Sequence, residues 1–484
     1  MGFGMLAAVA ALVLATGLPV WCVLVGVAGL AALIGVASGA VVPSLLFILP
    51  GRYVGLLESD ILQALPLFVG MGALLNRLPL ADTLYRAGVA LFGHRRFAPG
   101  LSALSLGVVL GPMNGSVGAN AIALTRAIEP KLRASGVPPG EAIGLLAVAS
   151  TLGVVVPPSL VLILLGDAML NAHTIALNAS HRAGLIINTQ DVFRGALLPA
   201  GLFVAGAALI VVWRARWTGP PPAGEPATPT RLSRAEWATA AFVLSFIVTL
   251  LAGVSLGYFY AVEAAAMGAV GLLTYGAASG TLHGAGLRLA LDDTIATTGA
   301  LFALLIAATT FTLVFRMFGT DRLVEEGIGG VPGGELGVLL AGLAVVALSA
   351  FVLDAFEIIF VVIPIIMPGV LTRVPDATWV AVLVLLVLQA SFLLPPFGYG
   401  LMMTRSVAIQ KPPAAAVARA LRPFLLMQLA LVLVVIVVPR LVHPLQGAAV
   451  SPAAKATSDA EAAERLRTGF PPPPDENDPP PPKF

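Results

Sequence analysis

The chain has 484 residues, of which 58% are hydrophobic and 11% charged, and its formal net charge is +2. A soluble domain carries roughly 25% charged residues, so this composition excludes a water-soluble fold and predicts an all-α protein that crosses a lipid bilayer many times. The near-neutral charge gives no basis for nucleic-acid binding. The single cysteine, Cys22, excludes an internal disulfide framework and a cysteine-based metal cage.

Apolar stretches long enough to span a bilayer, which takes about 20 residues, recur along the whole chain. The N-terminal stretch has no basic region before it and runs past the length of a signal peptide, so we predict a first membrane segment rather than a cleaved leader. Several stretches are too long for one crossing and must fold back or break. They lie at 6–34, 101–124, 143–165, 192–213, 237–275, 294–318, 336–374, 380–404 and 421–438.

One hydrophilic segment, 214–236, divides the apolar residues into two membrane halves, 1–213 and 237–445. It contains four arginines and several prolines, so we interpret it as a flexible linker on the cytoplasmic side, following the positive-inside rule. The polar stretch 171–190 is then expected on the outer face. Residues 446–484 are polar and rich in proline, which predicts a disordered tail.

Each half contains an apolar segment that is interrupted by two consecutive prolines. The pairs are Pro157-Pro158 and Pro395-Pro396, and each follows a small hydroxyl residue, Ser150 or Ser391. A proline inside a helix removes a backbone donor and clashes with the preceding turn, so two in succession open the helix.

An opened helix survives in hydrocarbon only where it lines a protein-walled or water-filled cavity. We therefore predict broken helices near 143–166 and 380–405 that form the binding site of a solute carrier. Their free carbonyl oxygens suit a cation, and their free N–H groups suit a carboxylate. For each pair, a kink or a loop end at the membrane surface is the alternative.

A second unusual segment precedes each broken helix. Residues 107–125 hold glycine, proline and amide residues where a membrane helix is normally apolar, which predicts a re-entrant hairpin. Its tip offers oxygen ligands from Asn114, Ser116 and Asn120. Helix packing through small residues is the alternative.

The corresponding segment of the second half, 345–370, carries two acids, Asp354 and Glu357. Ionisable groups at membrane depth line a cavity, pair with a base or bind a cation. We predict a second hairpin with a functional acidic tip. A structural ion pair with Arg316 or Arg405 is the competing interpretation.

Taken together, these residues resemble the large membrane subunit of the tripartite ATP-independent periplasmic (TRAP) transporters. The likeness covers about 5–444 and rests on the segments 67–75, 114–116, 157–159, 262–265 and 354–368. The segment 391–398 is similar to the branch labelled for mannitol or chloroaromatic compounds. This chain departs from the family pattern at Ala73, where glutamate is frequent, and at Asn114, where serine is usual.

The resemblance implies two inverted-topology repeats of the ion-transporter superfamily, with re-entrant hairpins and broken helices that move as an elevator. It implies sodium-coupled import of a small organic acid across the bacterial inner membrane. A periplasmic binding protein would deliver the solute, and a small four-helix membrane subunit would complete the complex. Sodium ions would be the coupling ions, with no other cofactor and no enzymatic activity.

Carried over by motif, the resemblance also implies a set of site residues. The sodium-ligand candidates are Asn114, Ser116, Ser150, Pro157, Asp354, Glu357, Ser391 and Pro395. The substrate-binding candidates are Asn114, Gly115, Asn120, Pro158, Ser159, Pro396 and Gly398.

Three other functions are weighed against this one. A stand-alone ion-coupled symporter or antiporter would share the hairpins and broken helices but need no binding protein. A passive channel would require filter motifs that the sequence lacks. A membrane enzyme would have to use the acidic pair at 292–293, which we expect to be a solvated helix start. We also hypothesise that the stretch 171–190 touches the binding protein.

Overall fold

The protein is represented by a computed structural model that describes residues 1–93, 95–114, 116–180, 187–217 and 232–443. These residues form helices and their connections, and no strand occurs among them. The predicted disordered tail, 446–484, and most of the predicted linker, 218–231, lie outside the described residues.

The first half contains ten helices within the described residues, and two prolines or a glycine mark most of the breaks between them. They are α1 (Gly2–Thr16), α2 (Val20–Ala37), α3 (Leu49–Leu57), α4 (Asp60–Arg77), α5 (Leu80–Phe92), α6 (Ala98–Leu110), α7 (Val117–Ala134), α8 (Pro139–Val155), α9 (Leu160–Ser180) and α10 (Thr189–Trp217).

The second half likewise contains ten helices, of which α16 and α17 are joined by a single π turn, Ile358–Val362. They are α11 (Arg234–Leu256), α12 (Ala261–Ala278), α13 (Gly284–Met317), α14 (Thr320–Gly329), α15 (Gly334–Ser349), α16 (Ala355–Glu357), α17 (Ile363–Arg373), α18 (Ala377–Leu393), α19 (Tyr399–Val407) and α20 (Ala414–Val437).

Eight helices in the described ranges are long and apolar enough to cross a membrane, counting α16 and α17 as one. The bent pair formed by α3 and α4 supplies a ninth if it crosses as one span. The prediction of an all-α polytopic membrane protein is confirmed.

The two halves repeat one order of elements. A hairpin (α6–α7, then α15–α17) is followed by a broken helix (α8–α9, then α18–α19) and by one long helix (α10, then α20). The remaining long helices form a surrounding frame, in which α4 packs against α12 and α13, and α13 packs against α2. The hairpins and broken helices therefore form a central body that the frame contacts.

The predicted apolar stretch 237–275 is divided by a turn between α11 and α12. Gly257 ends α11 with φ of 84°, a left-handed conformation that glycine adopts without steric cost. The Glu263 carboxylate accepts the N–H of Tyr260 at 2.9 Å, so this acid stabilises the start of α12.

Two segments with polar residues lie within helices, and the expected helix start at 292–293 was wrong. Residues 171–180 continue α9, because Ala172, His173 and Ala176 keep one face of the helix buried. The acidic pair at 292–293 lies inside α13 and not at a helix start. Asp293 forms an ion pair with Arg77 of α4 at 2.5 Å. Residues 181–186 lie outside the described residues.

A buried carboxylate ties the two halves together at the end of the bundle that leads into the linker. Glu129 of α7 accepts the N–H groups of Ile409 at 2.9 Å and Gln410 at 3.1 Å, both in the connection between α19 and α20. At the same end, the Arg214 guanidinium donates to the carbonyl of Ala420 at 2.7 Å. The first hairpin is therefore fixed to the end of the second broken helix.

We expect Glu129→Ala to destabilise the protein by about 2 kcal/mol, because two backbone donors lose their acceptor. Glu129→Gln should cost less, since one acceptor oxygen remains. Unfolding of the purified protein in detergent measures both, with the exposed Glu326→Ala as the control. An alanine variant at position 129 that unfolds like the wild type would contradict this role.

Candidate functional site

The first break lies between α8 and α9 and is fully enclosed by protein. Pro157, Pro158 and Ser159 are all buried, and the bond between the prolines is cis. Ser159 begins α9, where its hydroxyl accepts the N–H of Leu162 at 3.2 Å. Because neither proline has an N–H, the carbonyls one turn earlier in α8 receive no helical hydrogen bond from them.

The tip of the first hairpin packs directly on the helix that leads into this break. Asn120, in the first turn of α7, donates from Nδ2 to the carbonyl oxygen of Ser150 at 2.9 Å, and both residues are buried. Ser116 is the residue before α7, and its hydroxyl faces the N–H of Ala119 at 3.5 Å. Asn120 and Ser150 are therefore in direct contact, and Ser116 lies at the start of the same helix as Asn120.

Small residues allow α6 and α8 to touch backbone to backbone beside this region. A Cβ placed on Gly111 would lie 2.8 Å from the backbone nitrogen of Gly153, and one on Gly107 would lie 2.5 Å from the carbonyl oxygen of Ala149. The alternative interpretation, packing through small residues, therefore also applies to this hairpin. Gly115 and the side chain of Asn114 lie outside the described residues.

The second hairpin presents two half-buried carboxylates at its tip. Asp354 caps α16 by accepting the N–H of Ala355 at 2.7 Å, and Glu357 accepts the N–H of Asp354 at 2.9 Å. Neither acid forms an ion pair with any residue in the described ranges. The predicted pairing with Arg316 or Arg405 is therefore not found there. A π turn follows the two acids, a feature frequent at functional sites.

The second break lies between α18 and α19 and is more open than the first. Pro396 and Phe397 are exposed, whereas Gly398 is buried. A Cβ on Gly398 would lie 2.6 Å from the carbonyl oxygen of Phe392, so only glycine fits at that turn. The Ser391 hydroxyl donates to Val387 O at 2.8 Å within α18.

The hairpins and breaks meet across the two repeats. Helix α19, after the second break, packs on α7 of the first hairpin, and α9, after the first break, packs on α17 of the second hairpin. Four helix starts, those of α7, α9, α16 and α19, therefore belong to one central body. Helix starts carry free N–H groups and partial positive charge, which suits an anionic group.

Tyr399 is the residue that the sequence analysis missed. A Cβ on Gly118 of the first hairpin would lie 2.6 Å from the Tyr399 hydroxyl oxygen, and the centroid of the Tyr399 ring lies 5.9 Å from that of Phe392 in α18. This side chain thus connects the first hairpin to both helices that flank the second break. Its signal in the sequence is an aromatic residue between two glycines directly after the second proline pair.

Ser391 and Pro395 are placed differently from the other candidates. They line a cleft of about 640 Å³ between α15, α18 and α20, and no residue of the second hairpin tip, 350–362, lines it. In the described part of the chain no group of three or more His, Cys, Asp or Glu side chains gathers as a metal site would require. A cation in this body would therefore rely on carbonyl, hydroxyl and single carboxylate oxygens.

The chain is similar to known membrane permeases over most of its length. The family profile described as "Tripartite ATP-independent periplasmic transporter, DctM component" matches residues 7–441. The ectoine/5-hydroxyectoine TRAP transporter large permease protein UehC of Ruegeria pomeroyi is 25% identical over 78% of this chain and 84% of its own. The C4-dicarboxylate TRAP transporter large permease protein DctM of Pseudomonas aeruginosa is 24% identical over 79% and 85%.

A solved structure shares the fold. The Alcanivorax borkumensis YdaH transporter superposes with a TM-score of 0.60 at 16% identity, covering 82% of this chain and 88% of that one. At this identity the likeness concerns the fold alone.

We expect Asn120→Ala to lower the free energy of unfolding by about 1–3 kcal/mol, because the buried carbonyl of Ser150 loses its donor from the first hairpin. Unfolding in detergent should show this loss, and transport should fall in parallel. Asn171→Ala is the matched control, since Asn171 is exposed and bonds only within its own helix, to Asp167 O at 3.1 Å. Equal stability of the two variants would argue against the contact.

Proposed function

The chain belongs to the family of the DctM component of tripartite ATP-independent periplasmic transporters, and on that premise we propose that it imports a small organic acid by coupling to sodium. It is a membrane permease of the bacterial inner membrane and not an enzyme. The family implies that it works with a small membrane subunit and a periplasmic binding protein. The coupling ion, the substrate class and the mode of movement are the proposed parts.

The main support for the proposal is that each broken helix packs against the hairpin of the other repeat. Four helix starts in one body offer N–H groups to a carboxylate. The Pseudomonas aeruginosa relative, which is named as a C4-dicarboxylate permease, supports an organic acid as the solute. Asn120, Ser159 and Gly398 lie at or beside these helix starts, which agrees with a role in substrate binding.

Two features support a sodium ion as the coupling ion. The proline pairs leave carbonyl oxygens at the ends of α8 and α18 without their helical donors, and carbonyl and hydroxyl oxygens are suited to a sodium ion. In the second hairpin, Asp354 accepts the backbone N–H groups of Ala355 and Glu357, and Glu357 accepts the N–H of Asp354 with one oxygen, so the second oxygen of Glu357 remains to balance the charge of a cation. Within a membrane, the ionised form of an acid that has no basic partner is stabilised when a cation binds to it.

The contacts also support an elevator movement. Cross-repeat packing joins α7 to α19 and α9 to α17, and Glu129 fixes the first hairpin to the connection after α19. These elements would therefore move as one body against the frame built on α2, α4, α12 and α13. Exposed apolar side chains on the frame helices, such as Leu33, Phe242 and Val270, would face lipid or the small subunit.

Uptake into vesicles reconstituted with the permease, its small subunit and its binding protein tests the proposal. We expect a labelled organic acid, taken from a panel of mono- and dicarboxylates, to accumulate only with an inward sodium gradient and only when the binding protein is present. Potassium at equal concentration is the control. Accumulation without the binding protein would identify the stand-alone symporter instead, and gradient-independent equilibration would identify a channel.

We expect Asn114→Ala, Asp354→Asn and Ser391→Ala each to lower sodium-driven uptake by about tenfold or more, which corresponds to a loss of about 1.4 kcal/mol in binding. Each removes an oxygen or a charge that would hold sodium. Asp292→Asn is the matched control, because Asp292 is exposed on a frame helix. Wild-type coupled uptake in all three variants would refute the proposed ligands.

A further inference from the structure

An apolar groove runs along the outside of the central body between α15, α18 and α20. Its volume is about 640 Å³. Its wall is formed by aliphatic side chains of α20, including Leu425, Leu429 and Val432, and by Val387 and Ala390 of α18. An apolar groove of this kind within a membrane is filled by something equally apolar.

One end of the groove is strongly basic. Arg419 and Arg422 of α20 line it, and both are exposed. Arg419 Nε donates to the carbonyl of Ala415 in the same helix, at 3.4 Å. In the described part of the chain, neither arginine forms an ion pair.

The basic end continues into a second cleft of about 660 Å³ that shares Arg419 with the groove. Lys411 lines this cleft, as does Arg214, which is already paired with Glu141 at 3.5 Å. Arg419 and Arg422 at the mouth of the apolar groove, and Lys411 in the adjoining cleft, therefore have no carboxylate partners among the described residues.

The depths of these groups match one leaflet of a bilayer. Arg422 follows the first residue of α20, Ala414, by eight positions, or about 12 Å along a helix, close enough for a long side chain to reach the interface. From Arg422 to Val432 the groove extends by ten residues, or about 15 Å, which is half the thickness of a hydrocarbon core. The apolar wall thus extends below the arginines at the mouth by about the length that an acyl chain extends below its phosphate.

We propose that this groove binds one anionic phospholipid, with its phosphate between Arg419 and Arg422 and an acyl chain against α18 and α20. A small organic anion would leave the apolar wall unfilled. An apolar helix of another protein would leave the arginines without a counter-charge. This proposal does not rest on the transport function.

The bound lipid would reach the second broken helix. Ser391 and Pro395 lie in the wall of the same groove, so the lipid contacts the more open of the two breaks. The lipid would also cover Leu394, an exposed residue just before this break.

Native mass spectrometry of the delipidated full-length chain tests the proposal, with phosphatidylglycerol, phosphatidylcholine and glycerol phosphate as the three probes. We expect one phosphatidylglycerol to bind at least tenfold more tightly than phosphatidylcholine. The double variant Arg419→Gln/Arg422→Gln should lose this preference. Arg288→Gln, which removes an exposed arginine of the frame helix α13, should keep it.

A second variant separates the acyl chain from the charge. Ala390→Trp fills the apolar part of the groove without altering the arginines and should also lower phosphatidylglycerol affinity about tenfold, while glycerol phosphate should fail to compete. Equal binding of the two lipids, unchanged binding in the double variant, or competition by glycerol phosphate would each overturn the proposal. Normal phosphatidylglycerol binding by Ala390→Trp would overturn the assigned place of the acyl chain.

Discussion

Every backbone N–H and C=O inside a bilayer must find a partner, because no water is present in the hydrocarbon to replace one. Two proline pairs break this rule locally by removing four N–H groups from the helix ladder. The other helices of the central body pack around the carbonyl groups that lack these donors. The first break is covered by other helices, and the first hairpin reaches α8 through the bond from Asn120 to the Ser150 carbonyl. In our proposal, the freed groups serve as ligand positions.

The two repeats are interlocked rather than placed side by side. Each helix that follows a break packs on the hairpin of the other repeat, and Tyr399 lies in the contact between α19 and α7. The repeats are also unequal, since the first break is buried and the second is exposed beside an apolar groove. Within one interlocked body, a change at one break is transmitted to both hairpins. Such a body suits a carrier in which ion and solute must be bound together.

The features that could be predicted from the sequence are those determined by residues close together in the chain. Proline pairs, a glycine-rich tip and acids in an apolar run are local signals, and they led to the broken helices and hairpin tips directly. Tyr399 could not be found this way, because its role arises from a contact with Gly118, which is 281 positions earlier. The continuation of α9 through residue 180 was also missed, since burial of Ala172 and Ala176 depends on neighbouring helices. For the same reason, the placement of Ser391 in the groove was not foreseen.

The central claim is that the hairpins and breaks hold sodium, and ion-dependent unfolding of the purified full-length chain tests it most directly. A ligand that binds only the folded state stabilises it by RT ln(1 + [L]/Kd). We predict that sodium chloride raises the unfolding temperature progressively with its concentration, that potassium chloride at equal ionic strength does not, and that Asp354→Asn diminishes the difference. Identical unfolding temperatures in the two salts would contradict the account.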